Sequence, residues 1–543
     1  MVFARRSTTL LAAIIASCAM VLSLTACASD NKTVVDGQTT VTSNSAGGVA
    51  VFTPSDGITL NQQTPLNKWA KLVPDLAKAL ADAGFKKGDI DHTTSDSLDK
   101  QSRAIQDFVV DHLSNNTTDD SGIAIAPDNM TLLVAPVVEA DASTRQYGDY
   151  VSQNLSTNDV TDEGATSDGE SSEDDSSKDD SSNTESDSTA SDEQAQAVDR
   201  LVSSLKLAKE SGMHVVLLGN SIEGYKPDAF VKFSDAQTIG KLQAEKMVSK
   251  LKLDKASKDN PKYIEVLLPY TAVDEKGNAN DSTFAQEAFR GIWQVLGSYY
   301  QKGVVESPSG TLDGKSTEND WQAVAYDAAK EGSTAKVLDK RLAKTDGQST
   351  LTRIDGIITM NDYIASEVVK ELDDLGYTGS AADINPQITI SGIVGNITGK
   401  KDLSRDAVPD PIKSPENDNA NDSSSSDDDA DKDTSASDKD RDSQWPLVTG
   451  YGAYVSNIPS IVNGKQWMTG MEDRQTIATD IAQACAKLNK DEALNPMPSI
   501  RNSEVGGVKK IPTISEPLLA VSASNLKSAL IDPGYISLAD AGL

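Results

Sequence analysis

The chain has 543 residues and a formal net charge of −32, from 82 acidic and 50 basic side chains. This length allows two or three domains with a large buried core. The acidic excess argues against binding to nucleic acid or anionic lipid, whose phosphates attract Lys and Arg. Three histidines and three cysteines are too few for a Cys/His zinc site or a disulfide framework.

The N-terminus has the pattern of an export signal. Arg5 and Arg6 precede a charge-free apolar run over Leu10–Ala26. A run this short, between basic and small residues, is typical of a signal peptide rather than of a membrane-spanning helix. It ends in Leu24-Thr25-Ala26-Cys27, which matches the bacterial lipobox. The alternative is an ordinary secretory signal with a chance cysteine.

We therefore expect residues 1–26 to be a lipoprotein signal peptide and Cys27 to carry the lipid. Two acyl chains anchor a protein stably because each buried CH₂ contributes roughly 0.8 kcal/mol. Residues 27–46 are rich in Ser, Thr, Asn and Asp and are expected to form a flexible tether. The folded body would then lie at the extracytoplasmic face of the cell membrane.

Short apolar strands alternate with helical patterns through the rest of the chain. Such alternation predicts an α/β fold with parallel sheets buried on both faces, and the number of units predicts two doubly wound lobes. The predicted strands are Val49–Thr53, Met130–Val138, His214–Leu218, Tyr263–Leu268, Ile354–Thr359 and Pro446–Thr449, with helices around Trp69–Leu80, Ala104–His112 and Leu201–Ala208.

Two acidic stretches interrupt this pattern. Residues 157–193 hold fourteen Asp and Glu side chains against Lys178 alone, and residues 416–442 hold eleven against three basic residues. Such segments cannot bury enough apolar surface to order themselves, so we expect disordered insertions at 157–193 and 403–443. A calcium site is the alternative, but no EF-hand-like spacing with its turn glycine occurs.

Cys485 is the one cysteine outside the predicted signal and anchor. Ile477, Ile481 and Cys485 are spaced i, i+4, i+8 and therefore share one apolar helix face. This spacing predicts a structural core residue rather than a reactive thiol.

Several segments resemble, in order, the type I periplasmic sugar-binding proteins, specifically their xylose and multiple-sugar-binding branch. The resemblance covers roughly residues 48–543, interrupted by both acidic insertions. It is carried by Lys68-Trp69, Asp320-Trp321, Asn361–Ala365, Leu447–Gly450, Ile461–Thr469, Ile511–Val521 and Asn525–Tyr535.

This resemblance implies two lobes that close on one sugar in the cleft between them. The implied N-terminal lobe comprises residues 47–230 and 470–525, and the C-terminal lobe comprises residues 231–469 and 526–543. Aromatic faces would stack on the sugar, while charged and amide groups would bind its hydroxyls.

The same resemblance implies the site residues. Trp69 and Trp321 would be the two stacking platforms; the alternative is that both are core residues. The implied polar contacts are Lys68, Asp235, Asn361 and Asp362, and helix capping alone could explain Asp362.

The chain also departs from the family pattern. The family has an Asp where this chain has Val138, an Asp-Arg where it has Gly219-Asn220, an Asn where it has Ala236, and Gly-Gln-Asp where it has Gly450–Gly452. Hydrogen bonds to charged groups are worth about 1.5–3 kcal/mol each, so these changes alter the pocket. Asn220, Tyr451 or Tyr454 could serve a different ligand.

The sequence leaves three functions to weigh. The first is a monomeric solute-binding lipoprotein that delivers a small polar ligand, a carbohydrate by resemblance, to the permease of an ABC importer. The second is a binding scaffold that acts as a sensor or as an envelope interaction protein. An enzyme is disfavoured because no phosphate-binding or nucleophile-elbow motif occurs, and no cofactor or metal site is expected.

Overall fold

The structure is a computed structural model. It describes residues 34–35, 38–39, 46–55, 65–115, 125–138, 144–157, 185–273, 280–343, 351–381 and 444–542. The expected signal peptide, Cys27 and the second acidic insertion lie outside these residues, as does most of the first acidic insertion.

The chain divides into two compact units, Met1–Asn44 and Ser45–Leu543. In the first unit, strands β1 (Val34–Val35) and β2 (Gln38–Thr39) form an antiparallel pair.

The second unit contains two larger sheets and three small strand pairs. Its strands, numbered in chain order, are β3 (Gly48–Pro54), β4 (Ile90–Ser95), β5 (Met130–Val134), β6 (Asn154–Leu155), β7 (His214–Leu218), β8 (Ser221–Ile222), β9 (Ala229–Lys232), β10 (Lys262–Val266), β11 (Leu268–Pro269), β12 (Val305–Glu306), β13 (Ala325–Tyr326), β14 (Gly356–Ile358), β15 (Leu447–Val448), β16 (Met468–Met471), β17 (Ile500–Val505), β18 (Val508–Ser515) and β19 (Leu519–Ser522).

Helices connect most of these strands. They are α1 (Trp69–Asp82), α2 (Leu98–Asn115), α3 (Glu185–Glu210), α4 (Ala236–Leu251), α5 (Thr283–Gln301), α6 (Trp321–Val324), α7 (Ser333–Arg341), α8 (Asp362–Leu375), α9 (Ile458–Val462) and α10 (Arg474–Leu488).

The first sheet has seven strands in the order β17-β18-β9-β7-β5-β3-β4, parallel except for the antiparallel edge strand β17. Alternate residues of β3 enter different cores: Val49 and Val51 pack with α1 and α10, whereas Ala50 and Phe52 pack with α2 and α3. Because successive side chains of a strand point to opposite faces, helices cover this sheet on both sides.

The second sheet has four parallel strands in the order β12-β10-β14-β15. Its strands share one hydrophobic core with helices α4, α5 and α8. The predicted α/β architecture of two helix-covered parallel sheets is therefore confirmed. We call the seven-stranded part the N-terminal lobe and the four-stranded part the C-terminal lobe.

Two short connections lead the chain from one lobe to the other. Residues 233–235 lead from β9 in the N-terminal lobe to α4 in the C-terminal lobe. Residues 472–473 lead from β16 to α10, whose residues pack in the N-terminal core. These connections place the groups described below at the junction of the lobes.

Three local predictions can be compared with the structure. Cys485 is fully buried in the N-terminal core with Ile477 and Ile481, as the helical spacing predicted. Strand β5 ends at Val134, short of the predicted Val138, because Pro136 cannot donate a ladder hydrogen bond. Helix α3 begins at Glu185, so the last nine residues of the stretch 157–193, expected to be disordered, are helical. Alanine and glutamine follow directly in the sequence, and both are strong helix formers.

Candidate functional site

A short irregular segment, residues 144–155, lies at the junction of the two lobes, and we call it the cleft segment. It begins with a 3₁₀ turn at Arg145–Tyr147 and ends in β6, which pairs with β8 of the N-terminal lobe. Little regular structure holds it in place, so its position depends on the side chains around it.

Gly148 allows the cleft segment to approach the N-terminal lobe closely. Its φ is +94°, and a Cβ added there would lie 2.5 Å from the carbonyl oxygen of Asn67. The next amide, that of Asp149, donates a hydrogen bond of 2.8 Å to the same oxygen. Any other residue at position 148 would both strain the backbone and collide with Asn67.

Lys68 and Trp69, two of the predicted ligand contacts, bind this segment. The Lys68 ammonium donates to Oδ1 of Asp149 at 2.7 Å, with both side chains 19% exposed. The Trp69 backbone amide donates to the other oxygen of the same carboxylate at 3.1 Å. Asp149 therefore occupies the Lys68 ammonium, which the resemblance assigned to a ligand.

The Trp69 ring is also covered by the segment. It lies edge-on to Tyr150, with 5.1 Å between ring centroids, and edge-on to Phe233 at 5.7 Å. Tyr150 stacks on Phe233 at 4.7 Å, and its hydroxyl donates to the carbonyl oxygen of Lys68 at 2.5 Å. Only 3% of Trp69 is exposed, so its ring packs against protein.

The C-terminal lobe binds the same segment through Asn361 and Tyr454. The Asn361 amide donates to Oε1 of Gln146 at 3.1 Å, while its oxygen caps α8 by accepting from the amide of Ile364 at 2.9 Å. The Tyr454 hydroxyl donates to the carbonyl oxygen of Gln146 at 2.6 Å. Gln146 thus takes hydrogen bonds from two residues that the sequence had marked as ligand candidates.

Tyr147 inserts its ring into the C-terminal lobe. The ring centroid lies 4.6 Å from that of Phe284 and 6.2 Å from that of Tyr451, and the residue is fully buried. Burial raises the pKa of the Tyr147 phenol far above its ordinary value, against a smaller opposing effect of nearby Asn361. The ring is neutral and fills space in the C-terminal core.

Asn220 completes the set of contacts from the N-terminal lobe. Its Oδ1 accepts from the amide of Gln153 at 3.0 Å, and its Nδ2 donates to the carbonyl oxygen of Pro136 at 3.0 Å. The amide of Ser152 donates to the carbonyl oxygen of Ser234 at 3.3 Å, beside the crossing between the lobes. The segment is held along its length from 146 to 153.

The Asp362 carboxylate has no recorded contact with the cleft segment among the described residues. Its Oδ1 accepts from the Gln466 amide at 2.7 Å, and its Oδ2 accepts from the Tyr454 backbone amide and the Thr469 hydroxyl, both at 2.9 Å. Burial raises its pKa to about 6, although these hydrogen bonds oppose the rise. The carboxylate is satisfied within the C-terminal lobe, where it ties α8 to residues 454–469.

Asp235 and Trp321 also have local partners. Asp235 caps α4, accepting from the Thr238 amide at 2.7 Å, and pairs with Lys232 at 3.0 Å. Burial pushes the pKa of Asp235 up, but the Thr238 and Lys232 contacts outweigh it and hold the pKa below its usual value. Trp321 packs edge-on against Tyr270 at 5.1 Å. Among the described residues, no recorded side-chain contact joins either of them to the cleft segment.

A buried carboxyl group links two connections between the lobes. Oε1 of Glu472 accepts from the Ser234 amide at 2.7 Å and from the Ser234 hydroxyl, which is 2.6 Å from the Tyr451 hydroxyl. Burial raises the pKa of Glu472 to about 7, against the opposing hydrogen bonds from Ser234 and Tyr451. This network of the buried residues Ser234, Tyr451 and Glu472 joins residues 233–235 to residues 472–473.

The sequence analysis predicted several residues of the two lobes that contact the cleft segment, but it did not predict the segment itself. Gln146, Tyr147, Asp149 and Tyr150 belong to no α-helix or strand and to no motif of the resemblance. The local composition could have indicated this segment, because Tyr147, Tyr150, Val151 and Leu155 follow each other closely, directly before an acidic stretch that lacks aromatic residues.

Among the described residues, no group of three or more His, Cys, Asp or Glu comes together as a metal site. No helix in the described ranges is long and apolar enough to span a membrane.

No protein-family model matches this chain, and neither does any curated protein. Among solved structures, it is similar to an ABC-transporter solute-binding protein from Clostridium phytofermentans with bound β-D-glucose (17% identity, TM-score 0.44, covering 91% of this chain and 99% of that one). It is also similar to a carbohydrate-transporter solute-binding protein from Chloroflexus aurantiacus with D-glucose (17% identity, TM-score 0.43, covering 92% of this chain and 98% of that one). A third similar structure is an arabinose-binding protein from Geobacillus stearothermophilus (10% identity, TM-score 0.42, covering 89% of this chain and 99% of that one).

Proposed function

We propose that this chain is an extracytoplasmic solute-binding lipoprotein that takes a small polar ligand, of the carbohydrate class, between its lobes. One observation carries this proposal: side chains from both lobes converge on a segment with little regular structure of its own. They hold it by ring contacts and by hydrogen bonds from Lys68, Asn361 and Tyr454. Sugars are bound by the same two kinds of contact.

Each of these residues has a defined part in the proposed binding. The Trp69 ring would lie against the C–H surface of a sugar, and the Lys68 ammonium and the Asn361 amide would donate to its hydroxyls. Because these groups lie on different lobes, a ligand that bridges them favours the closed arrangement of the lobes over an open one.

Membrane attachment and transport belong to the same proposal. The lipobox at Leu24–Cys27 supports a diacylglyceryl anchor, and a tethered binding protein would deliver its ligand to the permease of an ABC importer. Metabolic labelling with a palmitate analogue tests the anchor: we expect labelled full chain in the membrane fraction and no label in Cys27→Ser.

Tryptophan fluorescence of the full chain, titrated with D-glucose, D-xylose and L-arabinose, tests the binding. We expect a saturable change with at least one sugar. Asn361→Asp is the informative variant because it keeps the oxygen that caps α8 and removes the amide donor. It should weaken binding about tenfold. The new carboxyl group is fully buried beside Asp362, so the melting temperature should fall as well, and circular dichroism is needed to show that the variant is folded.

Tyr147 favours a second candidate function. Its complete burial against Phe284 and Tyr451 is what a permanently filled cleft would show. In that case the protein would be a binding-protein scaffold that acts as a sensor or envelope interaction partner, without sugar transport. A saturable sugar response decides for the first function. Silence across the panel decides for the second only if it persists in a variant whose cleft segment has been released.

A further inference from the structure

The cleft segment makes contacts of the kind that a bound molecule makes. Lys68 binds its carboxylate, Trp69 and Tyr150 share a ring contact, and Asn361 donates to an amide oxygen. None of these contacts belongs to a sheet ladder or a helix of the segment. From residue 146 to residue 153 the segment is held by side chains and carbonyl groups of the two lobes rather than by its own folding.

The segment also bridges the lobes as a ligand would. Tyr150 belongs to the hydrophobic core of the N-terminal lobe, whereas Tyr147, three residues earlier, belongs to that of the C-terminal lobe. Gln146 adds hydrogen bonds on the C-terminal side, and Gln153 adds one on the N-terminal side. A free molecule that contacts Lys68, Trp69 and Asn361 together would have to use donors and ring surface that the segment already covers.

We infer that residues 144–155 are an intramolecular occupant of the ligand cleft, and that a sugar binds only when residues 146–153 have left it. This inference rests on the proposed function. It makes Gln146, Tyr147, Asp149 and Tyr150 determinants of affinity, because the measured dissociation constant equals that of the vacant cleft divided by the fraction of molecules in which the cleft is vacant. A segment that is docked about 99% of the time weakens binding about a hundredfold.

Gly148 provides the means to test this without altering any group of the cleft. In Gly148→Ala the new Cβ collides with the carbonyl oxygen of Asn67 at 2.5 Å, which disfavours docking of the segment. Gly376 is the matched control, since its φ of +93° equals that of Gly148 within a degree, but a Cβ there meets nothing within 4 Å. Gly376→Ala therefore carries the same backbone strain at the C-terminal end of α8 and leaves the segment docked.

The experiment measures hydrogen exchange at residues 147–153 and the dissociation constants for D-glucose, D-xylose and L-arabinose, in the full chain. Three amides there donate to Asn67, Asn220 and Ser234 and should be protected in the docked state. We expect a saturating sugar to increase their exchange in the wild type. Gly148→Ala should exchange quickly without sugar and bind at least tenfold more tightly, and Gly376→Ala should behave as the wild type.

Two results would overturn the inference, and they differ. If a sugar binds the wild type while the amides of residues 147–153 stay protected, ligand and segment coexist: the inference fails and the proposed function stands. If no sugar binds Gly148→Ala although its segment exchanges freely and its circular dichroism is unchanged, the vacant cleft is not a carbohydrate site and both fail. The wild-type exchange measurement decides the question even if Gly148→Ala does not fold.

Discussion

Tyr147 and Tyr150 are three residues apart in one irregular segment, and their rings lie in the hydrophobic cores of different lobes. Tyr147 packs against Phe284 and Tyr451, and Tyr150 packs against Trp69 and Phe233. The segment thus joins the two lobes by burying one aromatic ring in each. Its stability and that of the lobe junction are therefore linked.

Replacement of Tyr147 tests how much this junction contributes to stability. Tyr147→Ala removes a fully buried ring, and such truncations cost about 3–5 kcal/mol when the site cannot collapse. We expect a loss at the lower end of that range, since the segment can detach instead, and little change in Tyr147→Phe. Guanidinium unfolding measures both. A loss below about 1 kcal/mol in Tyr147→Ala would mean that the ring is not packed as described.

Lys68 and Asp149 should be energetically coupled to each other through their ion pair. Both side chains are 19% exposed, the atoms are 2.7 Å apart, and the carboxylate also accepts from the Trp69 amide. A double-mutant cycle with Lys68→Met and Asp149→Asn should give a coupling energy of about 1 kcal/mol or more. The exposed pair Lys100–Asp96, also 2.7 Å apart, is the control and should show little coupling. Equal coupling in the two pairs would contradict the buried setting of Lys68.

The carboxyl groups of Asp362 and Glu472 should make the chain less stable as the pH rises from 5 to 8. His92 and His112 act in the opposite direction, because burial lowers their pKa. Burial raises the pKa of Asp362 to about 6 and that of Glu472 to about 7, above their ordinary values of 3.8 and 4.5. A carboxyl group with a raised folded-state pKa binds its proton more tightly in the folded chain, so its contribution is complete below the ordinary value and is lost as the pH passes the folded-state value. The two groups together should lower the free energy of unfolding by roughly 2–4 kcal/mol across this range.

Glu472→Gln isolates one of these groups. The variant should show a shallower decline of stability between pH 5 and 7 than the wild type, measured by urea unfolding at each pH. Asp327→Asn is the control: its carboxyl group has a lowered pKa and no recorded effect on the pKa of Glu472, so the slope in this range should not change. Identical slopes in Glu472→Gln and the wild type would show that Glu472 does not titrate in this range.

Cys485 should react with thiol reagents only after unfolding. It is fully buried in the N-terminal core, and burial raises the pKa of its thiol far above the ordinary value. Because the thiolate is the reactive form, native protein should be labelled slowly, at a rate that follows global unfolding. Cys485→Ala should lack this slow phase. Rapid labelling of Cys485 in native protein would contradict a structural role.

The sequence predicted β5, β7 and β14 because these strands are apolar and almost wholly buried, whereas the polar strands β4 and β17 were not predicted. It also singled out Lys68, Trp69, Asn220, Asn361 and Tyr454, all of which contact the cleft segment. It did not separate these from Asp235 and Asp362, whose carboxylates accept hydrogen bonds from Thr238 and Gln466 rather than from the segment. Only tertiary packing makes that distinction.

The cleft segment itself could not be predicted from periodicity. Between Thr144 and Gln153 it has one 3₁₀ turn and no repeating apolar spacing, so neither a helix nor a strand pattern applies. Its conformation is set by contacts with both lobes, and Gly148 acquires its role only through the approach of Asn67. The sequence around Gly148 gives no indication of its contact with Asn67, which lies about eighty residues away in the chain.

The most direct test of the account is calorimetric titration of the Gly148→Ala full chain with D-glucose, D-xylose and L-arabinose. If the cleft between the lobes is a carbohydrate site, at least one sugar should bind with a stoichiometry of about one per chain, and the heat should be lost when Lys68→Met is added. Absence of heat with every sugar, in a folded Gly148→Ala chain, would contradict the central claim and favour a scaffold that binds no sugar.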